Sequence, residues 1–160
     1  MSGHSREKRI VNPDFSDMLS ALNAQETEYM IVGAYALAAH GYLRATGDID
    51  IWVRCTVENA EKVLRALKNF GAPMFDLTLE DLSTPEMVFQ IGLPPRRIDF
   101  LTSISGVDFD DCWADRMQVE IEGMSINFLS KSWLITNKRA TGRPKDILDA
   151  DELERSSNDD

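Results

Sequence analysis

Hydrophobic residues recur along this chain at two spacings, which together predict alternating helices and strands. Apolar positions three or four residues apart indicate amphipathic helices, and strict two-residue alternation indicates strands. The helical spacing is clearest where Val63, Leu64, Leu67 and Phe70 share one face. The predicted helices cover residues 13–25, 34–40, 57–70, 108–116, 131–140 and 144–154. The predicted strands cover residues 29–32, 48–53, 87–91, 96–101, 117–121 and 124–128.

The order of these elements predicts the fold class. Helices and strands interleave in the first half of the chain and a hairpin follows late, which is typical of the α/β or α+β class. We therefore expect a mixed β-sheet of about five strands backed by helices. The 160 residues suit one domain. We assign it to residues 11–154, between a flexible N-terminus at 1–10 and a disordered acidic tail at 155–160.

Charge is unevenly distributed along the chain. The formal net charge is −10, and such a surface repels nucleic acid at long range. Residues 123–145 nevertheless contain five basic residues and no acid, whereas residues 146–160 contain seven acids and one base. A local basic site within an acidic protein suits a compact polyphosphate better than a long duplex. A solvated helix face would have the same composition.

Features of secreted and membrane proteins are missing from the sequence. The first ten residues are polar and lack the apolar core of a signal peptide. No apolar run approaches the roughly 20 residues that span a bilayer. Cys55 and Cys112 have no metal-binding spacing and suit a reducing compartment. We therefore expect a cytoplasmic protein with no membrane partner.

Two acidic residues interrupt the apolar strand at 48–53. Because residues i and i+2 of a strand point to the same face, Asp48 and Asp50 project together while Ile49 and Ile51 face the core. Aspartate is disfavoured in strands, so two in one apolar strand are unusual. Two converging carboxylates repel each other and invite a hard divalent cation such as Mg²⁺. The alternative is a polar, solvent-facing side of an antiparallel sheet.

The strand at 96–101 carries a third carboxylate in the same alternation, because Asp99 lies between Ile98 and Phe100. If this strand lies beside the one that carries Asp48 and Asp50, the three carboxylates meet. They could then hold two metal ions about 3.5–4 Å apart. The interpretation requires two strands that are distant in sequence to be neighbours in the sheet.

A glycine turn precedes the acids. Gly33 follows a strand and Ala34 begins a helix, and the chain then returns to Asp48. Glycine lets the backbone approach a ligand closely, and a helix N-terminus offers free N–H groups to phosphate. In the loop that follows, Arg44 could reach a phosphate and Thr46 could fix the loop, or both could simply be solvated.

The stretch from Val32 to Asp50 resembles the signature of the polymerase-beta-like nucleotidyltransferase superfamily. It has the glycine-led turn, the helix and the spacing of Arg44, Thr46, Asp48 and Asp50. Within the superfamily it is most similar to the small prokaryotic branch of AbiEii-type toxins and minimal nucleotidyltransferases. The similarity is concentrated in residues 28–55 and extends more loosely through Asp99 and residues 134–149.

The resemblance implies a polymerase-beta-like fold and an activity. The activity is the Mg²⁺-dependent (or Mn²⁺-dependent) transfer of a nucleoside monophosphate from an NTP to an acceptor hydroxyl. By position, Asp48 and Asp50 would bind both metal ions. Asp99 would bind the catalytic ion and act as, or beside, the general base.

The resemblance also implies a phosphate side of the site. Gly33 and the backbone of Ala34 would contact the β and γ phosphates, and Lys138 would contact the triphosphate. Many members have Gly-Gly or Gly-Ser where this chain has Gly33-Ala34. The alanine lacks a hydroxyl and so removes one phosphate contact while keeping the backbone donors.

Several functions fit these residues. A transferase of this kind would modify a tRNA end, a protein or a small molecule such as an antibiotic, and would be the toxin of a toxin–antitoxin pair if the AbiEii resemblance extends to function. An antitoxin or a second copy of the chain would then be its partner. The alternative is a module of the same fold that senses nucleotide or binds a partner without chemistry. A phosphohydrolase would need a water-activating group, and no histidine suits that role.

Overall fold

The computed structural model describes residues 12–42, 47–93 and 96–159. Seven helices lie in these ranges: α1 Pro13–Ala24, α2 Gly33–Ala39, α3 Val57–Phe70, α4 Leu79–Leu82, α5 Phe109–Ala114, α6 Lys131–Thr141 and α7 Pro144–Asp159. The same ranges contain six strands: β1 Tyr29–Val32, β2 Ile49–Val53, β3 Val88–Ile91, β4 Ile98–Leu101, β5 Met117–Ile121 and β6 Met124–Phe128. Residues 1–10, for which a flexible N-terminus was predicted, lie outside the described ranges.

All six strands form one sheet in the order β3-β4-β2-β1-β6-β5. The pairs β1–β2, β3–β4 and β5–β6 are antiparallel, whereas β2–β4 and β1–β6 are parallel. Parallel neighbours need a long crossover, and the chain between β2 and β4 supplies one through α3, α4 and β3. The mixed sheet confirms the predicted fold class, with six strands in the described chain where about five were expected.

The middle of the sheet forms the core. All four residues of β1 are at most 4% exposed, and the apolar residues Ile49, Ile51 and Val53 of β2 are fully buried. These β2 residues face away from Asp50, as the alternation predicted. On the Asp50 face, Trp52 is 2% exposed and meets Phe109 of α5 edge-on, with ring centroids 5.0 Å apart. Asp50 therefore lies at the border of a packed core, where water is scarce.

The last two helices pack against each other beside the sheet. Arg139 of α6 pairs with Asp151 and Glu154 of α7, at 3.0 and 2.7 Å. Lys131 at the start of α6 donates a hydrogen bond to Ser156. With these contacts, α7 extends to Asp159, whereas the sequence predicted that the helix ends at residue 154 and is followed by a disordered tail. Polar composition alone could not show that α6 supplies partners for this segment.

Three smaller observations concern the described residues. α4 was not predicted; it is a single turn held by a capping box between Thr78 and Asp81. None of the helices in the three described ranges is long and apolar enough to cross a bilayer. Cys112 is buried, Cys55 is partly buried, and both are free thiols.

Candidate active site

The register of β2 and β4 brings the three predicted carboxylates together. The two strands are parallel neighbours, and Asp50 lies directly opposite Asp99. Asp48 comes immediately before β2 and lies on the same face as Asp50, two residues along the chain. The neighbouring strands that the three-carboxylate interpretation required are therefore present. The acids lie at the end of the sheet where β1 leads into α2.

Arg97 is a fourth member of this cluster. Its guanidinium donates from Nε to Asp99 Oδ1 at 2.6 Å and from Nη2 to Asp99 Oδ2 at 3.0 Å. The same Nη2 lies 3.6 Å from Asp48 Oδ2, and the backbone N–H of Arg97 donates to Asp48 Oδ1 at 2.8 Å. Arg97 was not among the predicted site residues. The period-two alternation that placed Asp99 on this face places residue 97 there as well, and this was the available signal.

Asp50 is the carboxyl group most affected by this environment. Burial, the charge of Asp99, a hydrogen bond to Asp99 and the charge of Asp48 all raise the pKa of Asp50, which Arg97 opposes, and the result is a pKa of about 6. A hydrogen bond between two carboxyl groups requires a proton on one of them. The cluster therefore holds more negative charge than its single guanidinium offsets, and it favours a proton or a cation.

Gly33 allows the backbone to approach these acids. It has a φ of +69°, and a Cβ added there would lie 2.4 Å from Asp50 Oδ2 and 3.3 Å from Asp50 Cγ. Any other residue would therefore collide with the carboxylate as well as adopt a strained backbone conformation. The first turn of α2 lies beside Asp50 only because this position has no side chain. The predicted pairing of the glycine turn with the acids is present in the fold.

A cleft of about 600 Å³ opens beside Asp50. One wall is the start of α2, with Gly33 and Ala34, and another is the chain that follows β4. The third wall comes from the α6–α7 pair and is mostly polar. The polar residues that line the cleft are Asp50, Ser103, Ser105, Asn137, Lys138, Thr141, Arg143, Lys145, Asp146 and Asp149. Its volume is within the range of small-molecule and cofactor sites.

Lys138, the predicted triphosphate ligand, lines this cleft but is 9% exposed. Its ammonium lies 3.2 Å from Asp146 Oδ1 and 3.4 Å from Asp149 Oδ2. Burial alone would raise the pKa of Asp146, but hydrogen bonds from Thr141 and Lys138 and the charges of Lys138 and Arg143 bring it below its usual value. Lys138 therefore holds α6 and α7 together and brings little unbalanced positive charge to the cleft.

Arg143 is the more accessible cation of this wall. Its side chain is 75% exposed, and its Nε donates to Asp146 Oδ2 at 2.9 Å. The sequence predicted Lys138, rather than Arg143, as the triphosphate ligand, and it left a solvated helix face as the alternative for the basic stretch at 123–145. Arg44 and Thr46, the other two predicted phosphate-side residues, lie outside the described residues.

Asp48, Asp50 and Asp99 have the oxygen ligands that a divalent cation needs, but their side chains are not arranged as a metal site. Carboxylate oxygens are the ligands that Mg²⁺ prefers. In the described part of the chain, however, no group of three or more acidic, histidine or cysteine side chains is arranged to hold a metal ion. On the same face, both oxygens of Asp99 accept hydrogen bonds from Arg97.

Two solved structures share this fold over nearly their whole length. TM1012 of Thermotoga maritima, a candidate nucleotidyltransferase, has a TM-score of 0.59 at 17% identity and covers 98% of this chain and 99% of its own. The lincosamide antibiotic adenylyltransferase LnuA, solved with lincomycin bound, has a TM-score of 0.58 at 14% identity over 92% of this chain and 98% of its own. At such identities the likeness establishes the fold, which is that of nucleotidyltransferases.

The sequence places the chain more narrowly. It belongs to the family described as nucleotidyltransferase of unknown function (DUF6036), whose profile matches residues 14–156. No curated protein is significantly similar to it in sequence. The predicted superfamily is therefore supported by both sequence and fold, and the matched range includes Gly33, Asp48, Asp50, Asp99 and Lys138.

Proposed function

We propose that this protein transfers a nucleoside monophosphate from an NTP to an acceptor hydroxyl, using Mg²⁺ or Mn²⁺. The observation that carries the proposal is the placement of Asp50 opposite Asp99 on parallel strands, with Gly33 packed against Asp50 at the edge of a polar cleft. A nucleotide in this cleft would place its phosphates between the α2 backbone and the acids.

The chain's own residues have distinct roles in this proposal. Asp48, Asp50 and Asp99 would hold the divalent cation, which when bound neutralises phosphate charge. The N–H groups of Gly33 and Ala34 would bind the β and γ phosphates, and Arg143 and Lys145 would contribute positive charge from the α7 side. Arg44 and Thr46 keep their proposed phosphate role from the loop before Asp48.

The chemical step itself is a substitution at the α-phosphorus. The acceptor oxygen forms a bond to this phosphorus, the bond to the bridging oxygen breaks, and pyrophosphate leaves. The acceptor's proton needs a base, and Asp99 is the proposed group because it is a buried carboxylate directly opposite Asp50.

Of the possible acceptors, a small molecule is the one that the fold supports best. LnuA is a lincosamide adenylyltransferase, and its chain is matched over 98% of its length without an added acceptor domain. The net charge of −10 also opposes binding to a long RNA. A tRNA end or a protein hydroxyl is the acceptor in the other version of the proposal, in which the protein is an AbiEii-like toxin with an antitoxin partner.

A non-catalytic nucleotide sensor is the second candidate function. It is favoured by one observation, the salt bridge between Arg97 and Asp99 that closes the acidic face. A sensor would bind nucleotide in the cleft without transferring any part of it. The two candidates therefore differ in product formation and agree in nucleotide binding.

The test supplies α-labelled NTPs with Mg²⁺ or Mn²⁺ and separate pools of small-molecule, RNA and protein acceptors. We expect label transfer to one pool, with at least a 100-fold loss in Asp50→Asn and in Asp99→Asn, since each removes a carboxylate of the site. Asp17→Asn, which changes the same charge at an exposed position of α1, is the matched control and should retain activity. Nucleotide binding by calorimetry without transfer to any pool would refute the enzyme and support the sensor.

A further inference from the structure

Arg97 is the positively charged residue of the acidic face, which is the face that carries Asp48, Asp50 and Asp99. The charged cluster on this face consists of three carboxylates and one guanidinium, and the guanidinium contacts two of the three carboxylates. Its two hydrogen bonds to Asp99 are short and use separate nitrogens, a forked geometry that gives strong and directional pairing. Its side chain is 26% exposed, so one side of the guanidinium faces solvent.

We infer that Arg97 competes with the divalent cation for Asp99 and Asp48, so that the protein closes its own metal site until Arg97 moves away. The inference rests on the proposed function only in taking these carboxylates as the cation's ligands. Its structural basis is the contact of the guanidinium with both Asp99 and Asp48.

The competition is electrostatic. Asp99 Oδ1 and Oδ2 both accept from Arg97, and Asp48 Oδ1 accepts from the backbone N–H of the same residue. The guanidinium already offsets the negative charge that would attract a cation, and a cation bound here would lie next to a fixed positive charge. Metal binding is therefore weakened for as long as the guanidinium stays on Asp99.

The triphosphate of a nucleotide would offer Arg97 a new partner. Arginine pairs with phosphate through the same two-pronged geometry that it uses with carboxylate. The acidic face borders the cleft through Asp50, so the phosphates would arrive within reach of the displaced side chain. Metal and nucleotide would then bind together more tightly than either alone, and the metal-free protein would stay closed.

The size of the effect follows from the population of the closed state. When only a fraction of the protein is competent to bind, the apparent dissociation constant rises by the inverse of that fraction. If Arg97 holds Asp99 in about nine molecules of ten, removing it raises the affinity for the cation by about tenfold. We expect at least this gain for Arg97→Gln.

The experiment titrates Mn²⁺ alone into the full chain, without nucleotide, and follows free Mn²⁺ by electron paramagnetic resonance. Arg97→Gln should bind Mn²⁺ at least tenfold more tightly than the wild type. Arg96→Gln is the matched control, because it removes the same charge from the adjacent, exposed residue, and its affinity should equal that of the wild type. Equal affinity of Arg97→Gln and wild type, or no binding to any variant, would overturn the inference.

Three further measurements distinguish the inference from a folding defect in Arg97→Gln. Circular dichroism establishes that Arg97→Gln is folded, and Arg97→Lys, which retains the charge without the fork, should show a smaller gain of the same sign. In the wild type, the ¹⁵N-labelled Nε–H signal of Arg97 should shift on adding Mg²⁺, while that of Arg139 stays unchanged. Mg²⁺ binding that leaves the Arg97 signal in place would also overturn the inference.

The results of the Mn²⁺ titrations can be distinguished from those of the nucleotidyl-transfer assay that tests the proposed function. Failure of nucleotidyl transfer in all acceptor pools would refute the enzyme and leave the Mn²⁺ titrations unaffected. Conversely, an active enzyme whose Arg97→Gln variant binds Mn²⁺ like the wild type would retain its proposed function without this control by Arg97.

Discussion

Replacing Asp50 with asparagine should stabilise the protein at neutral pH. The side chain keeps its shape and still fits against Gly33, but it loses the charge that burial and its neighbours disfavour. Those influences raise the pKa of Asp50 from 3.8 to about 6. Since one pKa unit corresponds to about 1.4 kcal/mol, the ionised carboxylate costs the folded state up to about 3 kcal/mol. Asp50→Asn removes this cost.

The sign of the pH dependence follows from the direction of the shift. Because the folded-state pKa is above the unfolded-state value, the folded protein binds more protons between pH 3.8 and about 6. The contribution of Asp50 to stability is therefore fully present below pH 3.8 and is lost as the pH rises through about 6. Between pH 5 and pH 7, about 1–1.5 kcal/mol of it should disappear. The asparagine variant should not show this loss.

The assay is urea denaturation of the metal-free protein at several pH values from 5 to 7.5. At pH 7.5 we expect the free energy of unfolding of Asp50→Asn to exceed that of the wild type by about 1–3 kcal/mol, and the difference to shrink towards pH 5. Asp17→Asn, on the exposed side of α1, should differ little from the wild type throughout. A variant less stable than the wild type, or a difference independent of pH, would refute the electrostatic account of Asp50.

Two other predictions concern residues that line the cleft. Gly33→Ala should lower the free energy of unfolding by about 2–4 kcal/mol and weaken ATP binding, because the added Cβ meets the Asp50 carboxylate in a backbone region that costs about 1–3 kcal/mol by itself. Gly41→Ala has a positive φ but no neighbour within 4 Å, so thermal and urea denaturation should show only the smaller backbone cost; equal losses would contradict the close-approach argument. Lys138→Met should destabilise the protein by about 3–5 kcal/mol, because it removes the ammonium that lies against two buried carboxylates. Pairing it with Asp149→Leu should restore part of the loss, and a single variant as stable as the wild type would show that Lys138 is not structural.

The strands and the candidate acids could be predicted from the local pattern of apolar and polar residues. The alternation of Asp48, Ile49, Asp50 and Ile51 requires only that the segment be extended, since side chains then alternate between faces. The same rule applied to Asp99 in β4. The glycine turn at Gly33 was predicted from its place between an apolar strand and an alanine-rich helix, a pattern that many α/β turns share.

Other features depended on contacts between distant segments. The roles of Arg97 and Lys138 show this most clearly. Both are basic residues in a plausible place for phosphate binding, yet Lys138 pairs with α7 carboxylates and Arg97 pairs with Asp99. A local pattern indicates which face a side chain occupies, but not which opposite charge will meet it there. The extension of α7 to Asp159 has the same origin, because its partners are on α6.

The sequence by itself therefore determined the mixed α/β class, the acidic strand and the glycine turn, because these depend on periodicity and on the conformational limits of single residues. Only the tertiary structure decided that β2 and β4 are parallel neighbours with Asp50 opposite Asp99. Strand order is a property of the whole sheet, in which a long crossover must return each strand to its partner. The same packing placed Arg97 among the acids, where its guanidinium pairs with Asp99.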